Sequence, residues 1–176
     1  MKRIRNCNIA GAAFTLIVGT LLHFIHDWFP ATLSAVFGAV NESTWEHLKL
    51  IFWPMVVFGI LEYFMYGRKA EGFLPIKVMS LLIGMLTIVA LFYTYTGVLG
   101  FNTLALDIST FVIGTLASYL YAYQRLRSPK AWQCTKPAAV TAVIVLAALI
   151  AGFIVFTYCP PHIALFADPI SGAYGF

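Results

Sequence analysis

Five apolar stretches, at residues 8–27, 47–66, 76–96, 104–123 and 138–158, dominate this chain of 176 residues. Each is close to the roughly 20 residues that an α-helix needs to cross the hydrocarbon core of a bilayer. Backbone polar groups inside a bilayer must be satisfied within the segment, so such stretches fold as helices. Only 10% of the residues are charged and 61% are hydrophobic. A water-soluble domain carries about 25% charged residues, and this chain has too little polar surface to be one. The expected fold is all-α: a single-domain integral membrane bundle of about five transmembrane helices covering residues 1–176.

Basic residues set the expected orientation. Lys2, Arg3 and Arg5 precede the first stretch; Arg68, Lys69 and Lys77 lie between the second and third; Arg125, Arg127, Lys130 and Lys136 lie between the fourth and fifth. Only Lys49 falls on the other side. An excess of Lys and Arg marks the cytoplasmic face, so the N-terminus is expected in the cytoplasm and the C-terminus outside. The first stretch ends in His23, His26, Asp27 and Trp28 rather than a small-residue cleavage site, so it reads as retained and not as a signal peptide. The net charge of +4 sits in clusters at helix ends, which argues against a nucleic-acid partner. The expected partners are the lipid bilayer and a lipid or small-solute ligand, and the expected location is a bacterial cytoplasmic membrane.

The same threading collects the ionisable residues. All four histidines and five of the seven carboxylates, namely His23, His26, Asp27, Glu42, Glu46, His47, Asp107, His162 and Asp168, fall at the outer face. Ionisable groups at membrane depth are costly and mark functional sites. His23, His26 and Asp27 are spaced i, i+3, i+4 and share one helical face. The segment 28–43 is unusually apolar for a loop, and a short interfacial helix over 31–40 would account for it.

NESTWEHLK, residues 41–49, opens the second stretch. Ser43 and Glu46 fit a capping box, with Asn41 as an alternative N-cap, and Lys49 is placed to pair with Glu46. His47 points about 100° away from Glu46 and is left without a local role. Asp107 lies within the fourth stretch at the level of Tyr93, Thr94, Tyr95 and Thr96, and should face the bundle interior. It reads either as a ligand or proton carrier, or as an aspartate tying helices together through tyrosine hydroxyls. Glu62, toward the cytoplasmic end, is expected to snorkel or to pair with Arg68 or Lys69. The tail after Tyr158, rich in Pro and Gly, is expected to pack over the outer end of the bundle, with Asp168-Pro169 as a turn. His162 reads as solvated. Cys7, Cys134 and Cys159 form no disulfide framework.

Histidine and carboxylate ligands suit zinc or iron. The expected divalent-metal ligands are drawn from His23, Asp27, Glu46, His47 and Asp107. The expected catalytic carboxylates are Glu42, Glu46 and Asp107, with Glu42 as the base for a metal-bound water. Three functions fit: a metal-dependent hydrolase of a lipid or envelope substrate, a capture or transport subunit for a small solute or metal, and a structural or assembly protein. No HExxH, HxxxH, GxSxG or SxxK motif is present, so whether the chain is an enzyme stays open.

Through NESTWEHLK and PPHIALFADPISGAYG, the chain resembles a family of small bacterial multi-span membrane proteins that form a domain of unknown function. The resemblance runs from HFIHDWFP to the terminal GAYG. It implies an integral membrane protein, and it carries no activity, cofactor or site residue.

Overall fold

The computed structural model describes residues 2–128 and 134–176. Lys130, one of the ten clustered basic residues, lies outside them. Among the described residues six α-helices follow in order: α1 (Lys2–Trp28), α2 (Thr32–Phe37), α3 (Thr44–Met65), α4 (Phe73–Leu99), α5 (Leu104–Leu126) and α6 (Lys136–Tyr158). All but α2 are long and apolar enough to cross a membrane, and they match the five stretches in the sequence. The expected interfacial helix over 31–40 is α2, shortened to six residues.

Each boundary has a local cause. Ser43, Thr103 and Thr135 cap α3, α5 and α6 through their hydroxyls, satisfying one amide that the helix start leaves open. α4 ends at Gly100, whose φ of 80° is a left-handed conformation that glycine adopts without steric cost.

α1 packs on α3 and α5 through a stripe of small residues, Gly11, Thr15 and Gly19, all buried. Small side chains let backbones approach closely, which is how helices associate where lipid removes the hydrophobic drive. A Cβ at Gly11 would strike the rings of Tyr119 and Phe58, and the Thr15 hydroxyl is bonded to the Tyr119 hydroxyl at 2.9 Å. α4 meets α5 at Gly84 and Gly114. A Cβ on either glycine would crowd the backbone carbonyl of the other. Between them sits a core of Leu48, Ile51, Phe52, Met55, Leu81, Met85, Ile88, Tyr119 and Phe153.

The two ends of the bundle differ in chemistry. At one end a second cluster joins Cys7 of α1, Tyr66 after α3, Phe73 and Ile76 of α4, and Ala122 and Leu126 of α5, beside the clustered basic residues. Glu62 is fully buried there. It does not reach Arg68 or Lys69 as the sequence suggested: Lys77 Nζ donates to it at 2.5 Å and the Tyr66 hydroxyl at 2.7 Å. Arg68 instead lies over the Phe64 ring, 4.3 Å from its centroid. The reason is burial: a carboxylate withdrawn from water takes the partner that is withdrawn with it, and Lys77 is part of the α4 wall rather than of a solvated loop.

At the opposite end lie all four histidines. The C-terminal tail folds back onto it, as expected. Phe176 N donates to Thr157 O at 2.8 Å, Asn41 Nδ2 donates to Gly175 O at 3.0 Å, and Phe166 packs against Trp45 and Phe156. Cys7, Cys134 and Cys159 are free thiols.

Candidate metal centre

The histidine end is organised by the first turn of α3. Ser43 is its N-cap and accepts from Glu46 N at 3.3 Å. Only half of the expected capping box forms. The Ser43 amide is taken by Asn41 Oδ1 at 2.9 Å, which frees the Glu46 carboxylate to turn inward. There it accepts from Lys49 Nζ at 2.6 Å, from Val40 N at 3.1 Å and from the Thr157 hydroxyl at 3.3 Å. Lys49 also donates to the carbonyls of Ala35 at 2.8 Å and Gly38 at 3.3 Å. Its three protons are thus placed, and both side chains are buried. Trp53 Nε1 donates to Val36 O at 3.0 Å. Three side chain to carbonyl bonds from α3 therefore satisfy the end of α2, where backbone acceptors would otherwise be orphaned.

With Glu46 turned in, its neighbour His47 faces the opposite way. His47 Nδ1 lies 2.9 Å from the Ser43 carbonyl. A carbonyl only accepts, so Nδ1 carries the hydrogen. Nε2 then points outward, 3.4 Å from Glu42 Oε2. In the neutral imidazole Nε2 bears a lone pair, and two lone pairs cannot rest against each other without a cation between them. A proton or a metal ion meets that demand. Fixing one imidazole nitrogen on a carbonyl while the other is aimed at an ion is the usual arrangement of a metal-ligating histidine.

His23, in the last turns of α1, completes the group. Its ring lies 5.1 Å from that of His47, edge to face, and stacks on Phe24. One ligand atom each from His23, Glu42 and His47 lie within 4.8 Å of one another. A divalent ion binds such ligands at about 2.0–2.2 Å, so the three atoms would have to close in on it. Two imidazoles and a carboxylate suit zinc, and equally the three-ligand iron sites that leave positions open. Glu42 is half exposed, so an ion held here would keep its remaining positions toward solvent.

The other expected residues lie elsewhere. Among the described residues, the ligand group contains neither Asp27, Glu46 nor Asp107. Asp27 is exposed at the end of α1. Glu46 is consumed by Lys49. Asp107 sits in the first turn of α5, where the helix dipole favours a carboxylate, and accepts from the Tyr95 hydroxyl and, at 3.2 Å, from Asn102 Nδ2. Its geometry is that of the tyrosine tie between α4 and α5. Glu42, expected as the base, precedes α3 and lies on the His47 side, where its carboxylate is one of the three grouped ligand atoms. His26 Nδ1 is bonded to Ser34 Oγ at 2.9 Å, an α1–α2 link that spacing gave no hint of.

The tail borders this centre. Asp168 anchors a turn, accepting from Ile170 N at 2.8 Å and from the Ser171 hydroxyl at 2.6 Å. Partial burial pushes its carboxyl up, but the Ser171 hydroxyl and the Ile170 and Ser171 amides outweigh it and hold the group below its ordinary value. His162 is exposed, as expected, and stacks on Tyr174.

Fold and site together define an all-helical protein with five candidate membrane spans and a His/Glu ligand cluster at one end of the bundle. The chain belongs to the family of unknown function DUF6512, whose model matches residues 1–176. No curated protein and no solved structure matches it.

Proposed function

We propose that this protein is an integral membrane protein of the bacterial cytoplasmic membrane that binds a divalent metal, zinc or iron, at its outer face through His23, Glu42 and His47. The observation that carries the reading is the His47 ring. Its Nδ1 is committed to the Ser43 carbonyl while Nε2 confronts Glu42 at 3.4 Å, with His23 within ligand reach.

Such a centre can polarise an ester or phosphoryl oxygen and lower the pKa of a bound water to about 7. Its solvent-facing positions fit hydrolysis of a lipid or envelope substrate better than a closed structural site. The capture reading keeps the same metal centre without turnover. Transit to the other face has less support, because Glu62 and Lys77 at the far end neutralise each other in a buried pair.

The test is metal analysis of the purified protein after zinc or iron loading. One ion per chain is expected in the wild type, with loss of that ion in His47→Ala and in Glu42→Gln. Retention in Glu46→Gln is also expected, provided that variant stays folded. Unchanged loading in both His47→Ala and Glu42→Gln would overturn the assignment.

A further inference from the structure

Beside the metal centre the bundle carries a groove of ≈ 430 Å³ between α1, α2 and α3. Phe14, Val18, Leu22 and Ile25 of α1 line one wall, and Trp53 and Val57 of α3 line the other. Every lining side chain is apolar except Ser34, whose hydroxyl is already bonded to the Phe29 carbonyl at 2.6 Å. We propose that this groove holds one acyl chain of a bilayer phospholipid, presenting its headgroup to His23, Glu42 and His47.

Three observations select that occupant. The first is length: from Phe14 to Ile25 α1 rises about 16 Å at 1.5 Å per residue. One leaflet is half of a hydrocarbon core of about 30 Å, so the groove spans a leaflet from the interface to the midplane. The second is surroundings. Both walls belong to helices apolar and long enough to cross a membrane, and the exposed Ile17, Leu21 and Ile60 continue the apolar flank beyond the groove. What lies against it is hydrocarbon. The third is the placing of charge. The walls carry none, whereas the mouth adjoins His26, bonded to Ser34, and lies on the same turn of α1 as His23, which falls between Leu22 and Ile25. An apolar channel with ionisable groups at one end is complementary to an amphiphile with one chain inside and its head outside.

The fold keeps the groove from collapsing. α2 is pinned at its mouth by the Lys49 and Trp53 bonds to its carbonyls. Gly38 sits so tightly against Ile25 and the Leu22 carbonyl that a Cβ there would clash.

The headgroup contact rests on the proposed metal centre, whereas retention of the chain does not. The test is native mass spectrometry of the full protein in a detergent that strips loosely held lipid, with Val18→Trp and Val57→Trp filling the groove. Leu86→Trp on the exposed face of α4 is the control, and unfolding temperature reports folding. One phospholipid per chain is expected in the wild type, in Leu86→Trp and in metal-free His47→Ala, and none in a folded groove variant. Retention in His47→Ala keeps this proposal separate from the metal assignment. If a groove variant does not fold, stronger quenching of wild-type than of Trp53→Phe fluorescence by phospholipid brominated on its acyl chain is the expected second readout, since the exposed Trp28 is quenched in both. No retained phospholipid, a retained free fatty acid instead, unchanged retention in a folded groove variant, or equal quenching with and without Trp53 would overturn it.

Discussion

The backbone carbonyl of Leu50 in α3 lies directly against the Cα of Gly19 in α1, so closely that a Cβ on Gly19 would overlap it. Pro54, four residues after Leu50, has no amide hydrogen, so this carbonyl has no partner of its own in the helix ladder. Glycine lets the neighbouring helix close over it, where any side chain would collide with that carbonyl. Gly19→Ala is therefore expected to lower the unfolding temperature in detergent by pushing α1 off α3. Gly97→Ala, at a helical position with nothing within reach of the new methyl, is the contrasting case. It should be neutral or gain up to about 0.5–1 kcal/mol from helix propensity. Equal effects of the two substitutions would show that the α1–α3 contact is looser than described.

Lys49 and Glu46 form the buried pair that ties α2 to α3. Lys49→Met leaves Glu46 as a buried charge with its cation gone, a change that typically costs about 3–5 kcal/mol. Adding Glu46→Gln removes the stranded charge, so the double variant should be more stable than Lys49→Met alone. It should not regain wild-type stability, because the Ala35 and Gly38 carbonyls still lack their donor. A double-mutant cycle on thermal unfolding measures this, and strict additivity would refute the coupling.

Asp168 gives the tail an acid-sensitive anchor. Its folded pKa lies below the ordinary value of 3.8. The stability it contributes is therefore fully present above that value, and is lost as pH falls through it toward the folded pKa. Tail docking, read by protease protection of residues 159–176, is expected to weaken over that acid range in the wild type. In Asp168→Asn it should be weaker at neutral pH and flatter across the range.

Metal loading should fall with acid for a separate reason: His23 and His47 must be deprotonated to ligate. Isothermal titration with zinc across pH is expected to show weakening affinity and proton release as pH drops. Because the Ser43 carbonyl already holds Nδ1 of His47, the ring is oriented before the ion arrives. Metal affinity independent of pH would argue against imidazole ligation at this site.

A lone acid such as Asp107 illustrates how sequence and structure divide the information. Depth in an apolar stretch says that it needs a partner, and both a metal and a tyrosine satisfy that need. Only the α4–α5 packing, set by Gly84 against Gly114, brings Tyr95 onto it. The same holds at the other end, where Glu62 had several cations within reach along the chain and packing gave it Lys77. Glu42 shows the subtler case. Two positions separate the candidate caps Asn41 and Ser43; with Ser43 as the cap, Glu42 lies before α3 and beside His47.

The sequence by itself determined the five candidate spans, the short helix before α3 and the gathering of histidines at one end. These follow from local physics: hydropathy, helical period and capping chemistry act over a few residues. Tertiary structure alone decided which ionisable groups pair with one another, that His23, Glu42 and His47 come together as a candidate site, and that α1, α2 and α3 leave a groove between them. Those outcomes depend on how helix faces rotate against each other, and that rotation is fixed by contacts such as Gly19 with Leu50 and Gly84 with Gly114, between residues distant along the chain.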